Sequence, residues 1–217
     1  MNIAIWVVVV SAAFAGVVVL LMRQEAAKRR RAFEGFAGET GWRFDAEQRD
    51  PRVLDMRPFP LFEKGTQKWA KHVVRGDRND VTVAVFDYRY DESMGDSEYT
   101  EQTVVHVRSK RLSLPAFVLS PENVLHRIGN MFGYEDIDFD DTPDFSKHYL
   151  LRAKENEPRV REAFPLPVRV FFERRKPITM EADGDQLLIY HHDKLIEADR
   201  LGDYVEEATA IARQFMR

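Results

Sequence analysis

The chain has 217 residues, of which 44% are hydrophobic and 31% are charged, and its formal net charge is −4. This composition is typical of a globular protein and argues against a disordered chain. The sequence contains no cysteine, which excludes disulfides, thiolate zinc sites and cysteine nucleophiles.

The first predicted element is an uncharged run from Ile3 to Met22. As a helix these twenty residues would be about 30 Å long, the thickness of the hydrocarbon core of a bilayer. Only Met1 and Asn2 precede the run, whereas five basic residues follow it closely: Arg23, Lys28, Arg29, Arg30 and Arg31. Because basic residues that flank a span stay in the cytoplasm, we predict a single-pass protein of the cell (inner) membrane. Its N-terminus would lie outside and residues 23–217 would be cytoplasmic.

A cleaved signal peptide is the alternative interpretation of the same run. Ala13-Phe14-Ala15 offers a small-residue cleavage pattern, but the basic N-terminal region of a signal peptide is missing. The apolar residues Val17 to Met22 also continue past that point. We therefore predict a transmembrane helix over residues 1–22. Ala12 and Gly16, four residues apart, would permit two such helices to approach closely, so a homodimer is an open alternative.

Residues 23–40 are predicted to continue the helix as a basic juxtamembrane segment, because they are rich in strong helix formers. Its cations, Arg23, Lys28, Arg29, Arg30 and Arg31, are candidate ligands of anionic lipid headgroups. The first 31 residues carry a formal charge of +4, so the rest of the chain carries −8. A domain this acidic is a poor binder of nucleic acid, and no nucleic-acid partner is expected.

Residues 41–217 are predicted to form one soluble domain. The segments 68–75, 81–90 and 99–108 have the β-branched and aromatic content of strands and predict an antiparallel meander. The apolar segment Phe59-Pro60-Leu61-Phe62 is expected to pack against that sheet. A short strand over 114–119 is followed by a predicted helix with Ser120 at its N-cap, which ends at Gly133.

The second half of the domain also alternates strands and helices. Strands are predicted over 149–152 and 168–172, and a short helix over 155–164. A β-hairpin is predicted around a turn at Asp183-Gly184, with Met180 opposite Leu187. An amphipathic helix runs from Asp203 to Met216. The fold class is therefore α+β: an N-terminal transmembrane helix, then a mainly antiparallel sheet with β-hairpins and a C-terminal helix.

Two clusters could bind a metal ion. His191-His192-Asp193 contains neighbouring histidines, which point to opposite faces of a strand, so a site would need a distant ligand such as His72, His106 or His148. We interpret the cluster as a polar strand end.

The acidic stretch Asp136 to Asp144 has Asp141 and Lys147 where a calcium-binding EF-hand loop requires Gly and Glu. It is predicted instead to be an edge strand or loop with Ile137 and Phe139 buried, although cation binding there stays an open alternative.

No catalytic motif is present: the sequence lacks a glycine-rich phosphate loop, G-x-S-x-G and H-E-x-x-H. The scattered carboxylates Asp77, Asp80, Asp87 and Glu92 indicate no site in a chain with 36 acidic residues. Arg174-Arg175-Lys176 could contact anionic headgroups, but a solvated strand end is the favoured interpretation. We therefore predict no catalytic, cofactor-binding or metal-binding residues and no cofactor.

The pattern resembles a family of uncharacterised bacterial proteins with one N-terminal span and a cytoplasmic α+β domain. The residues that carry the resemblance are mostly aromatic, proline and apolar. They are Trp42, Phe59-Pro60-Leu61-Phe62, Val85-Phe86-Asp87-Tyr88-Arg89-Tyr90, Gln102-Thr103-Val104-Val105, Pro115-Ala116-Phe117, Pro121-Glu122, Ile137-Asp138-Phe139 and Pro143-Asp144-Phe145-Ser146. The resemblance implies a shared core, and it implies no known activity and no site residue.

The sequence thus predicts a membrane-anchored cytoplasmic module that binds or scaffolds an unknown protein or peptide, attached through Ile3 to Met22. Two alternatives stay open. One is a membrane-tethered enzyme whose site is assembled from scattered acids and histidines, and the other is a domain that binds anionic lipids. A deep pocket with converging, pKa-shifted acids or histidines would favour the enzyme. A groove or an exposed sheet edge would favour the binding module.

Overall fold

The structure is a computed structural model that describes residues 3–47, 50, 55–91, 99–124 and 133–217, with the backbone alone at 3–10, 12 and 124. Helix α1 extends from Ile3 to Thr40 without interruption, which confirms that the predicted segment 23–40 continues the N-terminal helix. In the described part of the chain, no helix is long and apolar enough to cross a membrane. The structure therefore does not support the transmembrane span that the sequence predicts over Ile3 to Met22.

Helix α1 has two halves with opposite surroundings. Large apolar side chains of its first half are exposed, among them Phe14 at 70%, Leu20 at 59% and Met22 at 66%. In its second half Phe33 and Ala37 are buried in the main core of the domain. Among the described side chains of α1, those buried against the domain lie in its C-terminal part, and those of residues 13–28 are exposed.

After α1, the chain forms short helices and strands. The strands are β1 (Arg43–Asp45), β2 (Lys68–Arg78), β3 (Val81–Asp91), β4 (Tyr99–Arg108), β5 (Leu114–Pro121), β6 (Glu135–Asp136), β7 (Tyr149–Ala153), β8 (Thr179–Gly184) and β9 (Gln186–Tyr190). The helices are α2 (Pro60–Glu63), α3 (Pro143–His148), α4 (Glu157–Ala163), α5 (Leu166–Glu173) and α6 (Leu201–Arg213), with single 3₁₀ turns at Glu122–Val124 and Ala198–Arg200.

Within the described ranges, these nine strands form one sheet in the order β1-β2-β3-β4-β9-β8-β5-β7-β6. Neighbouring strands pair antiparallel, so the predicted α+β class with an antiparallel sheet and a C-terminal helix is confirmed. The predicted meander is β2-β3-β4. The predicted edge strand in the acidic stretch is β6, where Ile137 and Phe139 follow as buried residues.

The sheet buries a different apolar cluster on each face, because successive side chains of a strand point in opposite directions. On β3, Val83 and Val85 belong to the main core, together with helices α1 and α6. The alternate residues Phe86 and Tyr88 belong to a second cluster with Phe59, Leu61 and Phe62. The prediction that the segment Phe59-Pro60-Leu61-Phe62 packs against the sheet is therefore confirmed.

Three local predictions are wrong. Residues 168–172, predicted as a strand, lie in helix α5, in which Val168 and Phe172 are buried one helical turn apart. In the β8–β9 hairpin Met180 pairs with Ile189 instead of Leu187, because the two turn residues are Gly184 and Asp185. Gly184 has φ +61°, which a β-turn with left-handed residues requires.

The third error is the start of the last helix, which begins at Leu201 and ends at Arg213, so Asp203 lies in its first turn and not at the N-cap. Two further predictions fall mostly outside the described residues. The helix predicted after Ser120 is described only as the 3₁₀ turn at Glu122–Val124, and residues 92–98, which include the carboxylate of Glu92, are not described.

Candidate functional site

A buried ion pair fixes α1 to the sheet. The Arg29 guanidinium donates two hydrogen bonds to the Asp87 carboxylate, from Nε to Oδ2 and from Nη2 to Oδ1, both at 2.6 Å. Asp87 on β3 is fully buried, whereas the Arg29 side chain keeps 16% exposure. Two parallel charge-assisted bonds define the orientation of the guanidinium as well as its position. The pair therefore sets the angle at which α1 leaves the domain.

The same guanidinium fixes the segment between β9 and α6. Arg29 Nη1 donates to the carbonyl oxygen of Ile196 at 2.8 Å, and Nη2 also donates to Thr103 Oγ1 at 2.8 Å. Thr103 in turn accepts from the Ile196 backbone N–H at 3.0 Å, and its own N–H donates to the Lys194 carbonyl at 3.1 Å. We call this set, Arg29, Asp87, Thr103 and the backbone of 194–196, the helix junction.

His72 completes the surroundings of Asp87. Its Nδ1 lies 3.1 Å from Asp87 Oδ2, and its ring packs 5.5 Å from that of Phe33 on α1. His72 has φ +56° at a bulge, where the β2–β3 register shifts between Lys71 and Val74. A left-handed conformation costs a residue of this kind about 1–3 kcal/mol. This strained bulge turns the imidazole toward Asp87.

Asp87 is held ionised by its neighbours. Burial would raise the pKa of its carboxyl, but the hydrogen bonds and charges of Arg29 and His72 outweigh burial and lower the pKa below its ordinary value. An ionised carboxylate this deep in the domain requires a cationic partner. Arg29 therefore has a structural role in the helix junction, a role that its place in a run of exposed basic residues does not indicate.

A groove of about 770 Å³ lies beside the helix junction, between α5, the 191–200 segment and α6. Its edges carry five cationic side chains and two carboxylates, which are Arg174, Arg175, Lys176, Lys194, Arg200, Glu197 and Glu207. Its apolar lining includes Phe171, Ile196 and Tyr204. We call it the basic groove. Ile196 belongs both to the groove and to the helix junction, so α1 and the groove are held in one arrangement.

Three of the five cations in the basic groove are available to a ligand. Arg175 lies 3.4 Å from Glu207 and 4.1 Å above the Phe171 ring, and Arg200 is 3.9 Å from Asp203 outside the groove. Within the described residues, the side chains of Arg174, Lys176 and Lys194 make no ion pair or hydrogen bond. Arg174, Lys176 and Lys194 are also exposed, so these three charges face solvent.

The pKa of His191 reflects both its burial and a cationic neighbour in the basic groove. Its ring stacks on Tyr204 with centroids 5.8 Å apart and 28° between the planes. Burial lowers the pKa of His191 first and the nearby charge of Lys194 lowers it further, whereas Glu207 acts in the opposite direction. Among the described residues no group of acids and histidines could hold a metal ion. His191 therefore lines the basic groove as a partly buried imidazole beside Lys194.

The five predicted headgroup ligands lie in different surroundings. Arg29 is in the helix junction, and Arg30 pairs with Glu34 at 2.8 Å. Lys28 and Arg31 line a second groove, of about 690 Å³, between α1 and the 197–203 segment. Arg23 is exposed on α1. Headgroup contact stays a prediction for the residues other than Arg29, whose guanidinium is already bound by the domain.

The strongly perturbed acids and histidines lie away from the grooves. Burial raises the pKa of Glu181, which accepts hydrogen bonds from Tyr190 Oη at 2.7 Å and Leu61 N–H at 3.0 Å. Burial lowers the pKa of His106 to about 4, and Gln186 binds its Nε2 at 3.0 Å. Neither residue, nor Asp87, lines the basic groove or the second groove beside α1. These groups are part of the core.

Two carboxylates of the acidic stretch, Asp136 to Asp144, bind arginine side chains of the domain. Asp136 accepts a hydrogen bond from Arg152 at 2.7 Å, and Asp141 pairs with Arg169, which also donates to the Phe164 carbonyl at 2.7 Å. These contacts use two of the carboxylates to close the edge of the sheet. The described part of the chain offers no cluster there that could hold a cation.

The fold is similar to one solved structure, and the sequence matches none of the family models and no curated protein. The crystal structure of the mycobacterial trehalose monomycolate transport factor A, TtfA, aligns with 86% of this chain and 92% of its own, with a TM-score of 0.59. The two sequences are 14% identical. At this low identity, the comparison shows that the two folds are similar.

Proposed function

We propose that the protein is a non-enzymatic binding module that is held at a membrane by the apolar half of α1. The observation that carries the proposal is the exposure of Phe14, Leu20 and Met22 on a helix whose other end is locked into the domain. A contiguous row of exposed large apolar side chains requires an apolar environment. A bilayer supplies one along the apolar half of the helix.

The proposal requires the complete uncharged run from Ile3 to Met22. The side chains described in that run are those of Ser11 and residues 13–22, a stretch that alone would extend about 18 Å as a helix. The complete run would extend about 30 Å, enough for the hydrocarbon core. The basic residues Arg23, Lys28, Arg30 and Arg31 that follow it favour a domain on the cytoplasmic side of the cell membrane.

The binding surface that we propose is the basic groove. It is an open surface with an apolar lining and unpaired cations, and the buried groups Asp87, His106 and Glu181 lie outside it, so His191 is its one described histidine with a shifted pKa. This arrangement supports binding over catalysis, because an enzyme needs perturbed acids or bases that converge on its substrate. A rigid helix junction beside the groove would hold it at a constant height above the membrane.

Carbonate extraction of membranes that contain the full chain tests the proposed attachment. We expect the wild-type chain to stay in the membrane pellet. The variant Val17→Lys/Leu21→Lys should be released, because each lysine within a span costs about 2.5–3.5 kcal/mol. The matched control Gln24→Lys/Ala27→Lys adds the same charge to exposed positions outside the run and should stay in the pellet. Release of the wild-type chain would contradict the proposal.

A further inference from the structure

We propose that the basic groove binds the phosphate of an anionic lipid headgroup in the membrane to which α1 is held. This inference rests on the proposed function, because it needs the groove to lie close to a membrane surface. For Arg174-Arg175-Lys176 the sequence favours a solvated strand end over headgroup contact, and the inference adds Lys194 and the groove that the fold forms around these residues.

The cationic side chains of the basic groove indicate an anionic ligand. Arg174, Lys176 and Lys194 come from two separate segments, the end of α5 and the stretch after β9, and the fold brings them to one groove. Within the described residues none of the three has an ionic partner. The chain as a whole carries a net charge of −4, whereas the groove has five cationic side chains and two carboxylates. Guanidinium and ammonium donors match phosphate oxygens in charge and hydrogen bonding.

The lining of the basic groove favours a lipid over a free ion. Phe171, Ile196 and Tyr204 contribute apolar surface next to the unpaired cations, and Arg175 Cζ lies 4.1 Å from the centre of the Phe171 ring. A volume of about 770 Å³ exceeds what one phosphate needs. Sites for small molecules combine an apolar lining with a few placed polar groups, so a headgroup with the glycerol and upper acyl carbons attached fits both parts of the surface.

The position of the basic groove also favours a membrane lipid. The Ile196 carbonyl accepts a hydrogen bond from Arg29 at 2.8 Å, so this wall of the groove is fixed to α1 at that residue. Arg29 is seven residues beyond Met22, the last residue of the apolar run. At the rise of an α-helix this separation is about 10 Å, which is comparable to the depth of a headgroup layer.

The test uses the full chain in a neutral detergent and counts retained lipid by native mass spectrometry. The two probes, phosphatidylglycerol and phosphatidylcholine with identical acyl chains, differ only in headgroup charge. The groove variant is Arg174→Glu/Lys176→Glu/Lys194→Glu. The matched control, Lys110→Glu/Lys154→Glu/Arg159→Glu, makes the same change in net charge at exposed positions outside the groove.

We expect the wild-type chain and the control to retain more phosphatidylglycerol than phosphatidylcholine by about ten-fold, and the groove variant to lose this preference. Equal retention of the two lipids by the wild-type chain would overturn the proposal, as would an equal loss in both triple variants. Displacement of the lipid by an equimolar amount of inorganic phosphate would also overturn it, since the ligand would then be a free anion. Carbonate extraction separates this failure from that of the proposed function, because all these chains keep the apolar run unchanged.

Discussion

Arg29 and Asp87 are 58 residues apart in the sequence and are joined by two hydrogen bonds of 2.6 Å. Arg29 is in a run of basic residues that otherwise face solvent, and Asp87 is in the strand β3 at the centre of the meander. The pair ties the N-terminal helix to the sheet, and through Ile196 to the basic groove. The contribution of this pair to the stability of the domain is measurable.

Removal of the Arg29 side chain should destabilise the domain strongly. Arg29→Ala leaves the buried Asp87 carboxylate with only His72 and Thr103, and loss of one partner of a buried pair typically costs about 3–5 kcal/mol. Urea unfolding of the full chain in neutral detergent measures the change. The control Arg30→Ala breaks an exposed pair with Glu34 and should cost less than about 1 kcal/mol. Equal effects of the two substitutions would contradict a structural role for the helix junction.

Glu181 should make stability fall as the pH rises. Burial raises the pKa of its carboxyl, so between the ordinary value of 4.5 and the higher folded value the folded state binds more protons than the unfolded state. Glu181→Gln keeps an acceptor for the Leu61 N–H and a partner for Tyr190 and carries no charge. The variant should be at least as stable as the wild type at pH 7 and should lose stability less steeply above pH 4.5.

Unfolding curves at several pH values between 4.5 and 8 check this expectation, with the exposed residue in Glu162→Gln as the control. Wild-type and Glu181→Gln curves with the same pH dependence would show that Glu181 is ionised in the folded protein. Marked destabilisation of Glu181→Gln at pH 7 would lead to the same conclusion, because the charge would then be needed.

His106, unlike Glu181, should make the stability of the domain fall as the pH falls. Burial lowers its pKa to about 4, so the folded domain keeps the imidazole neutral while the unfolded chain protonates near pH 6.5. The associated stability is present above pH 6.5 and is lost as the pH falls toward 4, by an amount of about 3 kcal/mol. His106→Gln should reduce this loss. His148→Gln, at an exposed position, should leave the pH dependence unchanged. An imidazole NMR titration midpoint near pH 6.5 for His106 would refute the prediction.

Gly76 is required by the packing of Trp42. A Cβ atom at position 76 would overlap the Trp42 indole that lies against β2. Gly76→Ala should therefore displace the indole, cost about 1–3 kcal/mol of unfolding free energy and shift its fluorescence to longer wavelength. At Gly35 in α1, a Cβ atom would meet no atom of the described residues within 4 Å, so Gly35→Ala should stabilise the helix by about 0.5–1 kcal/mol. The opposite order of the two variants would contradict this packing.

Local patterns predicted much of the fold. Strand β3 is rich in β-branched and aromatic residues, and the core of Phe59, Leu61 and Phe62 is apparent from its composition. The strand predicted at 168–172 failed because its four apolar residues, interrupted only by Arg169, fit a buried strand and a buried helix equally well. The length of α5, with Pro165 and Pro167 at its start, is what distinguishes the two.

The candidate site was much harder to predict. The basic groove joins Arg174 and Lys176 to Lys194 through tertiary structure, and no local pattern relates these residues. The sequence did draw attention to Arg174-Arg175-Lys176, but with a strand as the assigned element their surroundings were wrong. Similarly, Arg29 differs from Arg30 and Arg31 only in the helix face that it occupies. A count of basic residues does not reveal that Arg29 contacts the buried Asp87.

Site-specific labelling in intact cells tests the central claim most directly, because the chain has no cysteine of its own. Two single-cysteine variants of the full chain, Asn2→Cys and Lys110→Cys, are treated with a membrane-impermeant maleimide before and after lysis. We predict that position 2 is labelled in intact cells and that position 110, in the domain, is labelled only after lysis. Labelling of position 110 in intact cells, or recovery of the chain in the soluble fraction, would contradict a domain held at the cytoplasmic face by α1.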